Sequence, residues 1–337
     1  MPTHKAVLVE SAGAPLALTD VETVPPPAGH VRIKVVACGV CGTDHGVVNG
    51  GFPGMTWPVT PGHEIAGTVD EVGAGVEGFS VGDRVAVGWF GGICNRCVPC
   101  RKGKFMQCVE FQVPSLAYPG GYAESATAPA TALARIPDGL SFTEAAPMGC
   151  AGVTTFNALR RTRAVAGDLV AVLGIGGLGN LGVQWAPAMG FETVAIARGA
   201  DKADDARALG AHHYIDSRAE DVAAALQGLG GAAAVLATAA NSQAMADTVG
   251  GLGPEGELVI VGVSADPLPI SPVDLILAGR SISGHPSGTA RDVEETMHFA
   301  LQTGVRARVE EMPLADFAEA YAAMAEGRAR YRMVLTM

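Results

Sequence analysis

No apolar run in this chain approaches the ~20 residues needed to cross a membrane as a helix, so no membrane span is expected. The opening stretch Pro2-Thr3-His4-Lys5 leads straight into Ala6-Val7-Leu8-Val9, too short an apolar core for a signal peptide, and no cleavage site follows. A cytoplasmic protein is therefore expected. Positive charge is scarce as well: 23 Lys and Arg face 34 Asp and Glu, a net charge of −11. Nucleic acid and anionic membrane both call for a basic patch, so neither is expected as a partner. Internal repeats are absent, and so are low-complexity tracts beyond alanine-rich helices.

What is present is enough for about two domains, since 337 residues divide at roughly 150 per domain. Hydrophobic residues make up 48% and charged residues 17%, an ordinary balance for a globular protein with a real core. The seven cysteines are clustered. In a large chain without a signal, such clusters are metal ligands more often than disulfides.

Residues 5–150 read as β-rich. Val31-Arg32-Ile33-Lys34-Val35 alternates apolar and charged residues, as a half-buried strand does. Glu64 to Val72 and Asp83 to Val87 read as further strands, and Pro25-Pro26-Pro27, Gly50-Gly51 and Gly120-Gly121 punctuate the region. Many short strands with frequent turns predict a barrel-like or sandwich-like domain. From about residue 152, strands alternate with helices: strand Leu169 to Leu173, helix Leu178 to Met189, strand Thr193 to Ala197, helix Ala203 to Leu209, then strands Ala233 to Ala237 and Glu257 to Val263. Alternating βα units predict a doubly wound parallel sheet. Beyond about residue 285 the pattern predicts a helix (Val293 to Leu301), a strand near Val305 to Glu310, a helix (Leu314 to Met324) and a last strand (Tyr331 to Thr336).

Two local motifs carry chemistry. Cys94-x₂-Cys97-x₂-Cys100-x₇-Cys108 brings four soft thiolates together on short spacers, which suits a closed tetrahedral zinc site. An iron–sulfur cluster is the alternative, but its usual last spacer is x₃ with Cys-Pro, whereas here it is x₇ and Val109 follows. A closed site has no position left for substrate, so its role is structural. Gly174-x-Gly176-x-x-Gly179, with Gly177 and Leu178 between, follows an apolar strand and opens a helix. That context marks a dinucleotide-binding turn, with the pyrophosphate at the helix N-terminus.

Three further strings occur in order: Cys38-Gly39-Val40-Cys41-Gly42-Thr43-Asp44, Gly62-His63-Glu64-Ile65-Ala66-Gly67 and Gly149-Cys150-Ala151-Gly152-Val153-Thr154. With the cysteine cluster and the glycine turn, they make the sequence resemble the zinc-dependent medium-chain alcohol dehydrogenases over nearly its whole length. The resemblance implies an α/β-plus-β architecture. A GroES-like catalytic domain (1–151 and 286–337) is interrupted by a Rossmann coenzyme domain (152–285), and the active site lies in the cleft between them. It implies a catalytic zinc on Cys41, His63 and Cys150, the Cys₂His set that alcohol dehydrogenases themselves exemplify. Glu64 would be a nearby or alternative ligand, Asp44 would orient His63, and Thr43 would accept the substrate's proton. Thr43 and Asp44 would also suit a plain turn.

Two positions depart from the family pattern. Gly42 and Gly46 stand where many members carry histidines, while His45 sits one place earlier. His45 could relay the proton or be solvated. Phe52, Trp57 and Trp89 are candidates for an apolar substrate pocket or for packing. The resemblance assigns Thr154, Lys202, Val261 and Val263 to the coenzyme. Arg332 would reach its pyrophosphate or remain solvated. The acidic residue that holds the ribose of NAD is replaced by Ala197, followed by Arg198, which favours NADP, with NAD as the alternative. The expected function is hydride transfer between an alcohol and an aldehyde or ketone, with two zinc ions per chain, in a homodimer or homotetramer. A polyol or sugar dehydrogenase, or a catalytically silent relative, is the competing reading.

Overall fold

The computed structural model describes residues 2–337. It divides into two compact units: the residues up to Val153 joined by Ser287–Met337, and Thr154–Pro286. In the first, β1 (Thr3–Leu8) and β2 (Ala17–Glu22) form an antiparallel hairpin. The alternating stretch becomes β3 (His30–Gly39), longer than its pattern suggested. Val31, Ile33 and Val35 point into the core, and Arg32 turns outward to pair with Asp70 and Glu71. β4 (Ile65–Val72), β5 (Arg84–Val87), β6 (Ser125–Pro129) and β7 (Ala134–Arg135) follow. β3 is the hub, pairing antiparallel with both β4 and β6.

The second unit is a parallel six-stranded sheet of β8 (Leu169–Leu173), β9 (Glu192–Ala197), β10 (His213–Asp216), β11 (Ala232–Ala237), β12 (Leu252–Ile260) and β13 (Ser281–Gly284). Its order is β10-β9-β8-β11-β12-β13. The order reverses beside β8, which is where such sheets take nucleotides. The whole of β8 is buried, as its unbroken apolar run requires. β12 corrects the expected Glu257 to Val263. It starts at Leu252 and stops at Ile260, because the amides of Val261 and Gly262 both turn to the carbonyl of Ala237.

The chain then returns to the first unit. Helix Ala290–Thr303 opens on a capping box between Thr289 and Asp292 and closes on Gly304 at φ 75°. β14 (Val309–Pro313) lies later than the expected Val305 to Glu310, since Val305 and Ala307 are buried without pairing. Helix Phe317–Ala325 leads to β15 (Arg332–Thr336), parallel to β14 and antiparallel to β3. The register sets Val334 opposite Gly39, so β15 delivers Arg332 beside the end of β3. Among the described residues no helix is long and apolar enough to cross a membrane.

Candidate active site

The site grows from the end of β3. Cys41 is extended, at φ −103° and ψ 148°, and helix Gly42–Val48 starts directly after it. The carboxylate of Asp44 folds back and accepts the Cys41 amide at 2.9 Å, satisfying a donor that the helix start leaves free. Its other oxygen faces His63 Nδ1 at 3.0 Å. A carboxylate at Nδ1 assigns the proton there and leaves the Nε2 lone pair for a metal. His63 is fully buried, and Nε2 has no hydrogen-bond partner. A buried nitrogen left unpaired is costly unless something else ligates it.

Close backbone approach completes the set. A side chain at Gly39 would occupy the place of the Glu64 carboxylate, and one at Gly88 would run into the carbonyl of Gly149. The Gly88–Gly149 contact, with the Trp89 amide 3.3 Å from the Gly149 carbonyl, brings Cys150 in. The ligand atoms of Cys41, His63, Glu64 and Cys150 all lie within 4.8 Å of one another. Two soft sulfurs, one imidazole and a nearby carboxylate fit zinc with an exchangeable position.

The four groups are electrostatically coupled, with Cys41 lowered and Cys150 raised by the hydrogen bond between them. A hydrogen bond from Cys150, then the charges of Arg332 and His63, hold the Cys41 thiol well below its ordinary range. Burial works against a charge on His63, but Asp44 and Cys41 outweigh it and push the imidazole up. Burial raises Glu64 to about 8 against the pull of Arg332.

The four-cysteine cluster is also assembled. The ligand sulfurs of Cys94, Cys97, Cys100 and Cys108 lie within 4.8 Å of one another, and none is in a disulfide. Cys108 Sγ is 3.6 Å from Cys94 Sγ and 3.9 Å from Cys97 Sγ. A zinc tetrahedron with bonds of about 2.3 Å has edges of about 3.8 Å. The amides of Cys94, Cys97 and Glu110 donate to these sulfurs, and backbone amides lower Cys97 to about 6.

Other expected residues fall into place or do not. Thr43 is half-buried in the first turn of its helix, one residue before Asp44. Trp89 stands edge-on to His63 with ring centres 5.2 Å apart, and Phe52 tilts against Trp89 at 6.1 Å. Trp57 packs instead with the cluster of Val9, Val47, Val48 and Val59. The ring of Phe52 fills the space beside Gly46, 3.1 Å from where a Cβ would stand. His45 is exposed, and its ring hydrogen bonds run to Tyr321 Oη at 3.1 Å and Asn49 Nδ2 at 3.3 Å, not to Thr43. Arg332 is not solvated. It is 4% exposed, donates to the Val40 carbonyl at 3.0 Å and lies 3.4 Å from Glu64 Oε1.

In the second unit, Gly174 takes φ +91° at the end of β8, and a Cβ on Gly176 would meet nothing within 4 Å. That leaves an open backbone cradle before helix Gly179–Ala188, with Gly177 and Leu178 in the turn. Thr154 is buried in helix Ala151–Arg160. Ala197 ends β9 buried, Arg198 is exposed and Lys202 half-buried. Val261 lies half-buried just past β12, and Val263 is 83% exposed. Asp216 and Arg218 escaped the sequence reading, because only the β9–β10 register brings them here. Asp216 accepts the amides of Gly199 and Arg218, which hold its carboxyl below the usual range.

Residues 27–138 match the family described as Alcohol dehydrogenase GroES-like domain, and residues 177–302 match Zinc-binding dehydrogenase. The chain is 41% identical to an alcohol dehydrogenase of Penicillium expansum, over 99% of this chain and 98% of that protein. An alcohol dehydrogenase of Geobacillus stearothermophilus is 38% identical over 98% of this chain and 99% of its own. Among solved structures, a cinnamyl alcohol dehydrogenase from Sorghum bicolor matches with a TM-score of 0.91 at 28% identity, covering 99% of this chain and 98% of that one. The chain belongs to the medium-chain alcohol dehydrogenase family. It is an oxidoreductase that passes hydride between an alcohol and its carbonyl partner on one side and a nicotinamide coenzyme on the other.

Proposed function

We propose that the enzyme depends on zinc, binds two zinc ions per chain, and uses NADP(H) on a small apolar alcohol or aldehyde. The observation that carries this is the quartet of Cys41, His63, Glu64 and Cys150, the first three buried and Cys150 half-buried, with His63 Nε2 unpaired. Zinc held there supplies a Lewis acid that polarises the substrate oxygen and makes its proton easier to lose. Thr43 takes that proton. Phe52 fills the space beside Gly46, so the proton's exit does not run through position 46. Trp89 and Phe52 give the substrate an apolar wall beside His63. Water kept off that wall strengthens each charge interaction at the reacting oxygen.

The coenzyme choice rests on Ala197 and Arg198. The first offers no carboxylate to hold a ribose 2′-hydroxyl or repel a phosphate, and the second is exposed and cationic. The chain works in the cytoplasm, without nucleic acid or membrane as partner, and as a homodimer or a homotetramer. The supporting feature for self-association is β13, an edge strand preceded by a short helix, Pro272–Ile276, that exposes Val273 and Ile276 with Leu277 at its end. A spectrophotometric assay with NADPH and NADH against a panel of alcohols and aldehydes, run beside zinc analysis, tests the reading. Turnover with two zinc ions supports it, and a metal-free active enzyme overturns it.

A further inference from the structure

The paired glycines Gly120-Gly121 and the tyrosine after them lie outside every motif used so far. The structure runs this segment alongside the approach to His63. The amides of Gly120, Gly121 and Tyr122 donate to the carbonyls of Thr60, Gly62 and Pro61 at 2.8, 2.8 and 2.9 Å. Both glycines are needed for the approach: a Cβ on Gly120 would press on the carbonyls of Pro61 and Gly62, and one on Gly121 on Ile65 and Cys38. The Tyr122 ring lies so close against Gly62 that no side chain fits there, and it is wholly buried. Its hydroxyl donates to Asp44 Oδ2 at 2.9 Å.

Asp44 therefore collects three donors: the Cys41 amide, His63 Nδ1 and the Tyr122 hydroxyl. Two of the three belong to ligand residues. We infer that Tyr122 is a positioning residue for the catalytic zinc, acting through Asp44 to fix the His63 ring. The phenol suits the role because burial and the charge of Asp44 both keep it protonated, with a hydrogen to donate to the carboxylate. Partners one step removed from a ligand orient it and tune its affinity, and removing them costs about 10–100-fold in metal affinity. The inference rests on the proposed zinc at Cys41, His63 and Cys150.

The test follows zinc release from the zinc-loaded full chain into excess of a chelating dye. The catalytic-site phase is the one missing in His63→Ala. Tyr122→Phe keeps the ring on Gly62 and removes only the donor. It should speed that phase by about 10–100-fold and leave the four-cysteine phase unchanged. In an Asp44→Asn background the same change should add less than about twofold, because coupled groups are not additive. Zinc bound with unchanged release, or equal acceleration in both backgrounds, overturns the inference. Absence of zinc from that site in the parent protein would instead overturn the metal reading. Should Tyr122→Phe fail to hold its four-cysteine zinc, a ring-fluorinated tyrosine at position 122 has nearly the same shape and a stronger donor. It should alter the catalytic-site phase alone, and an unaltered phase overturns the inference.

Discussion

Arg332 and Glu64 form an ion pair sealed inside the first unit, with Arg332 Nη2 3.4 Å from Glu64 Oε1 and side-chain exposures of 5% and 0%. Removing one partner of such a pair strands the other. Where Glu64 is ionised, Arg332→Met should therefore cost about 3–5 kcal/mol of stability. The cost should depend on pH. Glu64 already titrates near about 8, above its unfolded value, so the protonated form is favoured by folding and stability falls as pH rises through that value. Losing the Arg332 charge raises Glu64 further. The deficit should then be larger at about pH 9 than at about pH 6 in urea unfolding. An equal deficit at both would show that the pair matters by shape alone.

Chelation should separate the two metals by effect. The four cysteines form a closed set, so the zinc proposed there would contribute folding energy directly. Cys97→Ser should lose one zinc and lower the melting temperature. A variant of unchanged stability with an unchanged metal count would contradict the structural assignment.

The proposed role of Thr43 is to take the substrate's proton. Thr43→Val should lower kcat by about 10²–10⁴-fold, the usual size of acid–base assistance. The check is a rate measurement under conditions where hydride transfer shows a full isotope effect. An unchanged kcat there would remove Thr43 from the chemistry.

At the coenzyme end, Arg198→Ala should weaken NADP(H) binding by about 10–100-fold, as expected for losing a charge-assisted hydrogen bond, and leave NAD(H) unaffected. Ala197→Asp should reverse the preference. Calorimetric titration with both coenzymes reads this without turnover. Equal weakening of both would mean that Arg198 stacks on the adenine and leaves the 2′ position unread.

Local patterns carried most of the fold into the sequence. The apolar run Leu169–Leu173 and the glycine turn after it could be read because both needs are local: burial on two faces, and backbone freedom at one corner. Val305 and Ala307 misled because hydrophobicity marks burial and not pairing. Val261 and Val263 extended a strand on paper that ends where its amides change partner. In the site, ligand identities were legible through their motifs. The reach of Arg332 was not, since it depends on the β15–β3 register across nearly the whole chain. Nor was Tyr122, whose partner Asp44 lies 78 residues away. His45 looked available because sequence shows a titratable ring but not the Tyr321 and Asn49 that occupy it.

The most direct test of the whole account is hydride transfer in His63→Ala, followed by the absorbance of the reduced nicotinamide with one good alcohol. Substrate activation at the quartet of Cys41, His63, Glu64 and Cys150, with coenzyme held by the glycine turn, predicts no measurable turnover, one zinc lost per chain, and coenzyme binding near that of the parent. Turnover close to the parent rate with the catalytic-site zinc gone would contradict it.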